Sequence, residues 1–178
     1  MLRKKLKEIL DEKPSGKVVA AVLVPIIEGY DPKLVMIIRS KRLKRSAGHI
    51  AFPGGMIEDA ESPKDTALRE AREELGIKDV NVLGYLSPRE VREYRIKLCP
   101  VVGLIRDDSF KPDYREVSRV LVDSLKRVLL SRRIADWGPC FECCGEIVWG
   151  ASSRVLDDLY LRIVKRYGSI ENFFSGIC

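Results

Sequence analysis

The feature that most constrains the fold is a helix whose two ends are both marked in the sequence. Ser62 is a favourable N-cap residue, Pro63 suits the first helical position, and Asp65 completes a capping-box pattern. Gly76 provides the C-terminal stop, because glycine readily adopts the left-handed backbone conformation. Small and apolar side chains recur at helical spacing and predict the side that packs on a core, formed by Ala67, Leu68, Ala71 and Leu75.

Three glutamates lie on the same predicted helix. Glu70 and Glu74 are one turn apart on the shoulder of the apolar side, and Glu73 lies further round, towards the outer face. Like charges at this spacing repel each other unless a cation neutralises them, and carboxylate oxygens are ligands that magnesium and manganese prefer. The preceding pair Gly54 and Gly55 lets the backbone approach a ligand, and the Gly54 carbonyl is a further candidate metal ligand.

The residues around these glutamates follow one spacing pattern: a glycine, five residues, a glutamate, seven residues, then Arg-Glu-apolar-x-Glu-Glu-x-Gly-apolar. The pattern resembles the Nudix box, and residues 55–77 carry its fixed positions Gly55, Glu61, Arg69, Glu70, Glu73, Glu74 and Gly76. The resemblance implies that Glu70, Glu73 and Glu74 are catalytic metal ligands, and that Glu61, Arg69 and Gly76 are structural. It favours the metal site over the alternative, an exposed helix face on which Arg69 pairs with Glu73.

A second motif precedes the box. Arg39, Ser40, Lys44, Gly48 and the run 52–55 (Phe-Pro-Gly-Gly) are similar in spacing to the signature of the coenzyme A pyrophosphatases within the Nudix family. Two positions depart from that signature: Ile37 replaces a threonine, and Lys44 replaces an arginine, which keeps the charge but loses the two-pronged geometry. The resemblance implies substrate contacts from Arg39, Lys44, Gly48, Phe52 and Gly55.

The resemblance implies hydrolysis of a diphosphate linkage in a nucleoside diphosphate derivative, with Mg²⁺ or Mn²⁺ as cofactor. The implied substrate is coenzyme A or a derivative, and the products are 3′,5′-ADP and 4′-phosphopantetheine. ADP-ribose or another nucleoside diphosphate derivative is the alternative substrate, and a nucleotide-binding regulatory module is the non-enzyme alternative. The general base is open among Glu73, Glu74 and an acid outside the box, for which Glu116 is the candidate.

Composition limits the classes of partner. The 178 residues include 32 Lys and Arg against 26 Asp and Glu, a formal charge of +6 that favours a small anionic substrate and does not by itself indicate nucleic acid. We expect no nucleic-acid partner. No signal-peptide pattern and no apolar run near the roughly 20 residues of a membrane span are found, which predicts a cytoplasmic protein without a membrane segment. The family resemblance also suggests a homodimer.

The rest of the chain predicts one domain over residues 1–178. Strands are expected at residues 18–27, 34–38, 80–86, 94–105, 117–122 and 141–149, and helices at residues 2–11 (within an N-terminal segment 1–16), 124–130 and 152–167 (within 150–168). With the resemblance, this order predicts an α/β protein, a Nudix-type α/β/α sandwich with a mixed β-sheet.

Two local patterns have more than one interpretation. The last helix carries an apolar stripe that indicates either core packing or a dimer contact, made of Val155, Leu156, Leu159 and Ile163. Cys140, Cys143 and Cys144 suggest a zinc site, but no second ligand pair follows them. Packing inside a strand is therefore the first interpretation of the cysteines, and a disulfide is the second.

Overall fold

Two parallel strands form the centre of the sheet. In the computed structural model, which describes residues 1–106 and 108–177, β1 (Ala20–Ile27) pairs along its whole length with β7 (Ile96–Ile105). Antiparallel strands extend this pair on both sides. On the side of β1 lie β2 (Lys33–Arg39) and then β3 (Ile50–Ala51), and on the side of β7 lies β5 (Asn81–Tyr85). The sheet is therefore mixed, as the sequence predicts.

Three further strands complete this sheet. β8 (Val117–Ser124) pairs with β2, β4 (Gly54–Met56) with β1, and β6 (Arg89–Val91) with β7. The register aligns Met56 with Ala20, Ala20 with Leu98, and Leu98 with Arg89. At this end the strand order is β4-β1-β7-β6, so β4 and β6 are about 14 Å apart at the usual spacing between neighbouring strands.

One face of the sheet is covered by α2 (Pro63–Leu75). Both halves of the predicted capping box form at Ser62 and Asp65, and Gly76 ends the helix with φ 71°. Ala67, Ala71 and Leu75 pack on Ala21 and Leu23 of β1, while Leu68 is only half-buried. The predicted caps and core side of this helix are confirmed, apart from Leu68.

The other face carries four helices, α1 (Leu2–Lys7), α3 (Leu125–Leu130), α4 (Gly150–Tyr167) and α5 (Ile170–Phe174). The apolar stripe of α4 lies in the core of the chain itself, which selects core packing over a dimer contact. The two helical layers and the sheet between them form the predicted α/β/α sandwich. The first helix ends at Lys7, earlier than predicted. Within the described residues, no helix is both long and apolar enough to cross a membrane.

The single strand predicted at residues 141–149 is wrong. The chain instead makes a hairpin of β10 (Gly138–Cys143) and β11 (Glu146–Val148), to which β9 (Arg133–Ala135) adds a third strand. The turn is possible because Cys144 and Gly145 adopt positive φ of 52° and 78°. Cys140 and Cys143 are buried in β10, and the cysteines that the structure describes are free thiols, which supports packing rather than a disulfide.

Candidate active site

Three carboxylates from two parts of the chain meet at one end of α2. Oxygens of Glu70, Glu74 and Glu116 all lie within 4.8 Å of one another. Glu74 is buried, and burial together with the charge of Glu70 raises the pKa of Glu74 to about 8. Burial also raises the pKa of Glu70. Buried carboxylates of this kind need a positive partner to remain ionised, so the donor set fits a hard divalent cation such as Mg²⁺ or Mn²⁺.

The glycine pair of β4 lies against these carboxylates. The Gly54 amide donates a hydrogen bond to Glu74 Oε2 over 2.9 Å. A β-carbon at residue 54 would lie 2.4 Å from the Ala21 carbonyl oxygen, and one at residue 55 would lie 2.3 Å from Glu70 Oε1. Both positions therefore need glycine because backbone and side-chain oxygens occupy the space of a side chain. The metal-binding role of the Gly54 carbonyl stays a prediction.

Arg69 connects the loop before α2 to the carboxylates. Its Nε donates to Glu61 Oε1 over 2.8 Å, its Nη1 donates to Glu70 Oε1 over 3.0 Å, and its Nη2 donates to the Met56 carbonyl over 3.2 Å. Hydrogen bonds from Arg69 and Thr66 lower the pKa of Glu61 to about 2. These contacts hold Glu70 in place and fit the structural roles predicted for Glu61 and Arg69.

Glu73 lies apart from the other two box glutamates. Its side chain is 54% exposed, and its carboxylate is 3.4 Å from Arg69 on the outer side of α2. The three-carboxylate cluster includes Glu116 instead. The predicted metal-binding role of Glu73 therefore stays a prediction that this geometry does not support.

Glu116 reaches the cluster because the preceding loop is attached to the end of α2. The Lys111 amide donates to the Leu75 carbonyl over 2.8 Å, and the Asp113 amide donates to the Glu74 carbonyl over 2.9 Å. The Ser40 amide in turn donates to the Glu116 carbonyl over 2.7 Å. Glu116 is half-buried there, with a carboxylate oxygen within 4.8 Å of those of Glu70 and Glu74, and its role as the general base stays a prediction.

A pocket of about 690 Å³ is bordered by Arg39 and by Gly54 and Gly55 of β4, whereas Glu70, Glu74 and Glu116 are not among its lining residues. Of the substrate residues predicted from the sequence, Arg39, Phe52 and Gly55 line it, whereas Lys44 and Gly48 do not. Arg39 ends β2 at a register shift, and its Nη1 lies 4.0 Å from Glu74 Oε1. Its Nε is buried without a hydrogen-bond partner among the described residues, which is a vacant donor at the site.

The remaining walls of the pocket come from segments that the sequence motifs did not single out. The ring centroids of His49 and Trp149 are 4.8 Å apart, and Trp137 lines the same pocket. Across the rim, the Ser46 amide donates to the Tyr94 hydroxyl over 3.0 Å. These residues are distant in the sequence and share no spacing pattern.

A second group of metal-ligand types, Asp123, Cys143 and Cys144, lies outside this pocket. Asp123 already accepts hydrogen bonds from the Cys144 amide and from Arg127. Burial raises the pKa of the Cys143 thiol, which opposes the thiolate that zinc binding needs. The arrangement is therefore explained by packing and does not support the zinc interpretation.

Comparisons with known proteins agree with this geometry. The family model for the NUDIX domain matches residues 17–120. The chain is 35% identical over 175 residues to the "Uncharacterized Nudix hydrolase NudL" of Shigella flexneri, with 89% of each chain covered. It is 37% identical over 161 residues to the protein of the same description in Escherichia coli (strain K12), with 81% of this chain and 82% of the relative covered.

Solved structures show the same fold at low sequence identity. A MutT/nudix family protein from Enterococcus faecalis superimposes with TM-score 0.59 at 14% identity, over 97% of this chain and 73% of that chain. The NUDIX domain of Shewanella oneidensis NrtR, solved in complex with ADP ribose, gives TM-score 0.53 at 18% identity, over 85% and 89% of the two chains. The box residues, the carboxylate cluster and these relatives together lead to one conclusion: the chain belongs to the Nudix hydrolase family.

Proposed function

We propose that this Nudix hydrolase cleaves the diphosphate of coenzyme A or of a coenzyme A derivative. The products are 3′,5′-ADP and 4′-phosphopantetheine, and the cofactor is Mg²⁺ or Mn²⁺. The observation that carries the proposal is the position of Arg39, the first charged residue of the upstream signature, beside the carboxylate cluster. Its Nη1 is 4.0 Å from Glu74 Oε1, and its buried Nε has no hydrogen-bond partner in the described part of the chain.

The shape and lining of the pocket support the same substrate. A volume of about 690 Å³ falls within the range of pockets that enclose ligands of nucleotide size. Apolar side chains such as Val91 and Ile96 line it together with Trp149. A flat base can stack on the aromatic rings, and a partly apolar pantetheine arm can cover the aliphatic wall.

The chemistry follows from the charges at the carboxylate end. A water oxygen bonds to one phosphorus while the bridging bond to that phosphorus breaks, and the bridging oxygen leaves with the other phosphate. Glu70 and Glu74 would hold the divalent cation, which when bound would neutralise negative charge on phosphoryl oxygens. Arg39 donates to a phosphoryl oxygen, and a carboxylate of the cluster that is not used for the cation accepts the proton of the water.

The test is a product analysis. We would incubate the protein with Mg²⁺ and separately with coenzyme A, ADP-ribose, NADH and diadenosine polyphosphate, and identify the products by mass spectrometry. The proposal predicts 3′,5′-ADP from coenzyme A as the fastest reaction. Faster release of AMP from ADP-ribose would overturn the substrate assignment and leave the Nudix chemistry in place.

A matched pair of variants tests the role of Arg39. Arg39→Ala should lower kcat/KM for coenzyme A more than for ADP-ribose, because the signature rather than the box selects the substrate. Arg42→Ala removes an exposed charge from the same loop without touching the pocket, and should leave both rates unchanged. Equal losses for both substrates in Arg39→Ala would contradict the signature argument.

The non-enzyme alternative is tested by Glu74→Gln. A catalyst should lose most of its rate in saturating Mg²⁺, whereas a regulatory module should only change its affinity for nucleotides. The homodimer and the cytoplasmic location expected from the sequence stay predictions.

A further inference from the structure

Two arginines line the wall of the pocket beside β6. In the strand order β4-β1-β7-β6, this is the strand furthest from β4, which carries the glycine pair. Arg92 follows β6, in the hairpin to β7, and Arg154 lies near the start of α4; both line the pocket. In the described part of the chain, no carboxylate oxygen lies within 4.0 Å of either guanidinium. Two positive charges therefore face one pocket without an ion-pair partner.

The surrounding groups do not neutralise this pair. Arg89 is occupied, because its Nη2 lies 3.3 Å from Asp158 Oδ1 and its Nε donates to the Arg154 carbonyl over 3.3 Å. Glu90 offers Arg154 its backbone carbonyl, and Glu93 is an exposed acid on the pocket wall.

The pKa of Arg154 reflects this imbalance. Burial lowers it first, the positive charges of Arg92 and Arg89 lower it further, and the negative charge of Glu90 only partly opposes them. An anion bound between the guanidinium groups of Arg92 and Arg154 would reduce the electrostatic repulsion between them. Phosphate is the matching anion, because guanidinium groups bind its oxygens in a two-pronged geometry.

The N-terminal end of α4 adds a partial positive charge to the same pocket. Its N-cap residue, Trp149, makes no side-chain capping bond, and Gly150 and Ala151 line the pocket. The first amides of an 18-residue helix present a partial positive charge. This helix end supports the anion, but the unpaired arginines are the observation on which the site depends.

The position of the pair separates it from the scissile diphosphate. Gly55 and the carboxylates lie beside β4, whereas Arg92 follows β6, and these strands are about 14 Å apart. One phosphate cannot contact the backbone at both places. A ligand that contacts both places therefore needs more than one anionic group.

We propose that Arg92 and Arg154 form a second phosphate subsite, which binds a phosphomonoester of the substrate that is not hydrolysed. The inference rests on the proposed function for the identity of that group, the 3′-phosphate on the ribose of coenzyme A. The subsite then selects coenzyme A over dephospho-coenzyme A and ADP-ribose, which lack this phosphate.

The experiment compares two probes that differ only in the 3′-phosphate. Calorimetry measures the binding of 3′,5′-ADP and of 5′-AMP to the chain of residues 1–178 in Mg²⁺. We expect 3′,5′-ADP to bind about tenfold more tightly or better, the effect of charge-assisted hydrogen bonds to one phosphate. Arg92→Gln and Arg154→Gln should each reduce this preference, and Arg154→Lys should retain part of it.

The control is Arg95→Gln, which removes a charge from the same hairpin at a residue that does not line the pocket. It should leave the preference unchanged, and circular dichroism would verify that every variant is folded. Equal binding of both probes by the unmodified protein would overturn the subsite. A preference that survives in both Arg92→Gln and Arg154→Gln would overturn its assignment to these residues.

Turnover of coenzyme A and dephospho-coenzyme A separates this inference from the proposed function. If neither is hydrolysed but 3′,5′-ADP still binds more tightly through Arg154, the proposed function fails and the subsite stands. If both are hydrolysed at equal kcat/KM and the probes bind equally, the function stands and the subsite fails.

Discussion

The backbone of Gly55 lies directly against the carboxylate of Glu70, so that a β-carbon at residue 55 would lie 2.3 Å from Oε1 and 2.7 Å from the carboxyl carbon. Arg69 holds the same Oε1 from the other side over 3.0 Å. Glu70 is therefore fixed between a glycine backbone and an arginine, and the absence of a side chain at residue 55 leaves room for this oxygen.

Gly55→Ala should displace Glu70 and weaken metal binding. A displacement of about 1 Å in a catalytic group lowers the rate on the order of 10²-fold, and part of the loss should be recovered at high Mg²⁺. The measurement is kcat/KM as a function of Mg²⁺ concentration. Gly29→Ala is the control, because a β-carbon there meets nothing within 4 Å and should leave the rate unchanged.

The part of this site that is formed by residues close together in the sequence could be predicted. The part that is formed by residues far apart in the sequence could not. The box helix has its caps, core side and glutamates within one short segment, so spacing alone places Glu70 and Glu74 together. Glu116 joins them only because backbone hydrogen bonds attach its loop to the end of α2. Arg92 and Arg154 meet through the pairing of β6 with β7 and the packing of α4, which depend on tertiary structure.

The same distinction bears on the strand that was wrongly predicted at residues 141–149. The predicted strand at residues 141–149 is apolar at both ends, but Gly145 and Glu146 interrupt it where Cys144 and Gly145 make the turn. Glu73 is 54% exposed on the outer face, as its helical spacing predicts, and its role as a metal ligand stays a prediction.

Substitutions of the three glutamates of the Nudix box should differ in how far they lower kcat. Glu74→Gln and Glu70→Gln remove a ligand charge from the carboxylate cluster and should lower kcat about 10²-fold or more. Glu73→Gln should lower it less than about tenfold, because this side chain lies outside the cluster. Steady-state kinetics in saturating Mg²⁺ would check the order. A loss for Glu73→Gln as large as that for Glu74→Gln would contradict the geometry.

Two leucines of α4 provide a matched test of the core. Leu159 is fully buried between α4 and the sheet, whereas Leu161 is 50% exposed on the same helix. Leu159→Ala should lower the free energy of unfolding by about 2–5 kcal/mol, through lost burial and the cavity that remains. Leu161→Ala should change it by less than about 0.5 kcal/mol. Urea denaturation would measure both, and a large effect at Leu161 would indicate that this surface is covered by a partner.

Glu61 should make part of the stability dependent on pH. Hydrogen bonds from Arg69 and Thr66 lower its pKa from 4.5 to about 2 in the folded protein, so the charged carboxylate stabilises the fold. This contribution is fully present above the unfolded-state pKa and is lost as the pH falls through the folded-state pKa. Glu61→Gln lacks it at every pH, so the difference in unfolding free energy from the unmodified protein should be constant near neutrality and should shrink below about pH 4.5. Urea denaturation over this pH range measures the difference.

Glu58→Gln is the control, because its carboxylate is 66% exposed and 3.9 Å from Arg69, and its difference should stay small throughout. A Glu61→Gln difference that persists unchanged at low pH would show that the charge of Glu61 does not stabilise the fold.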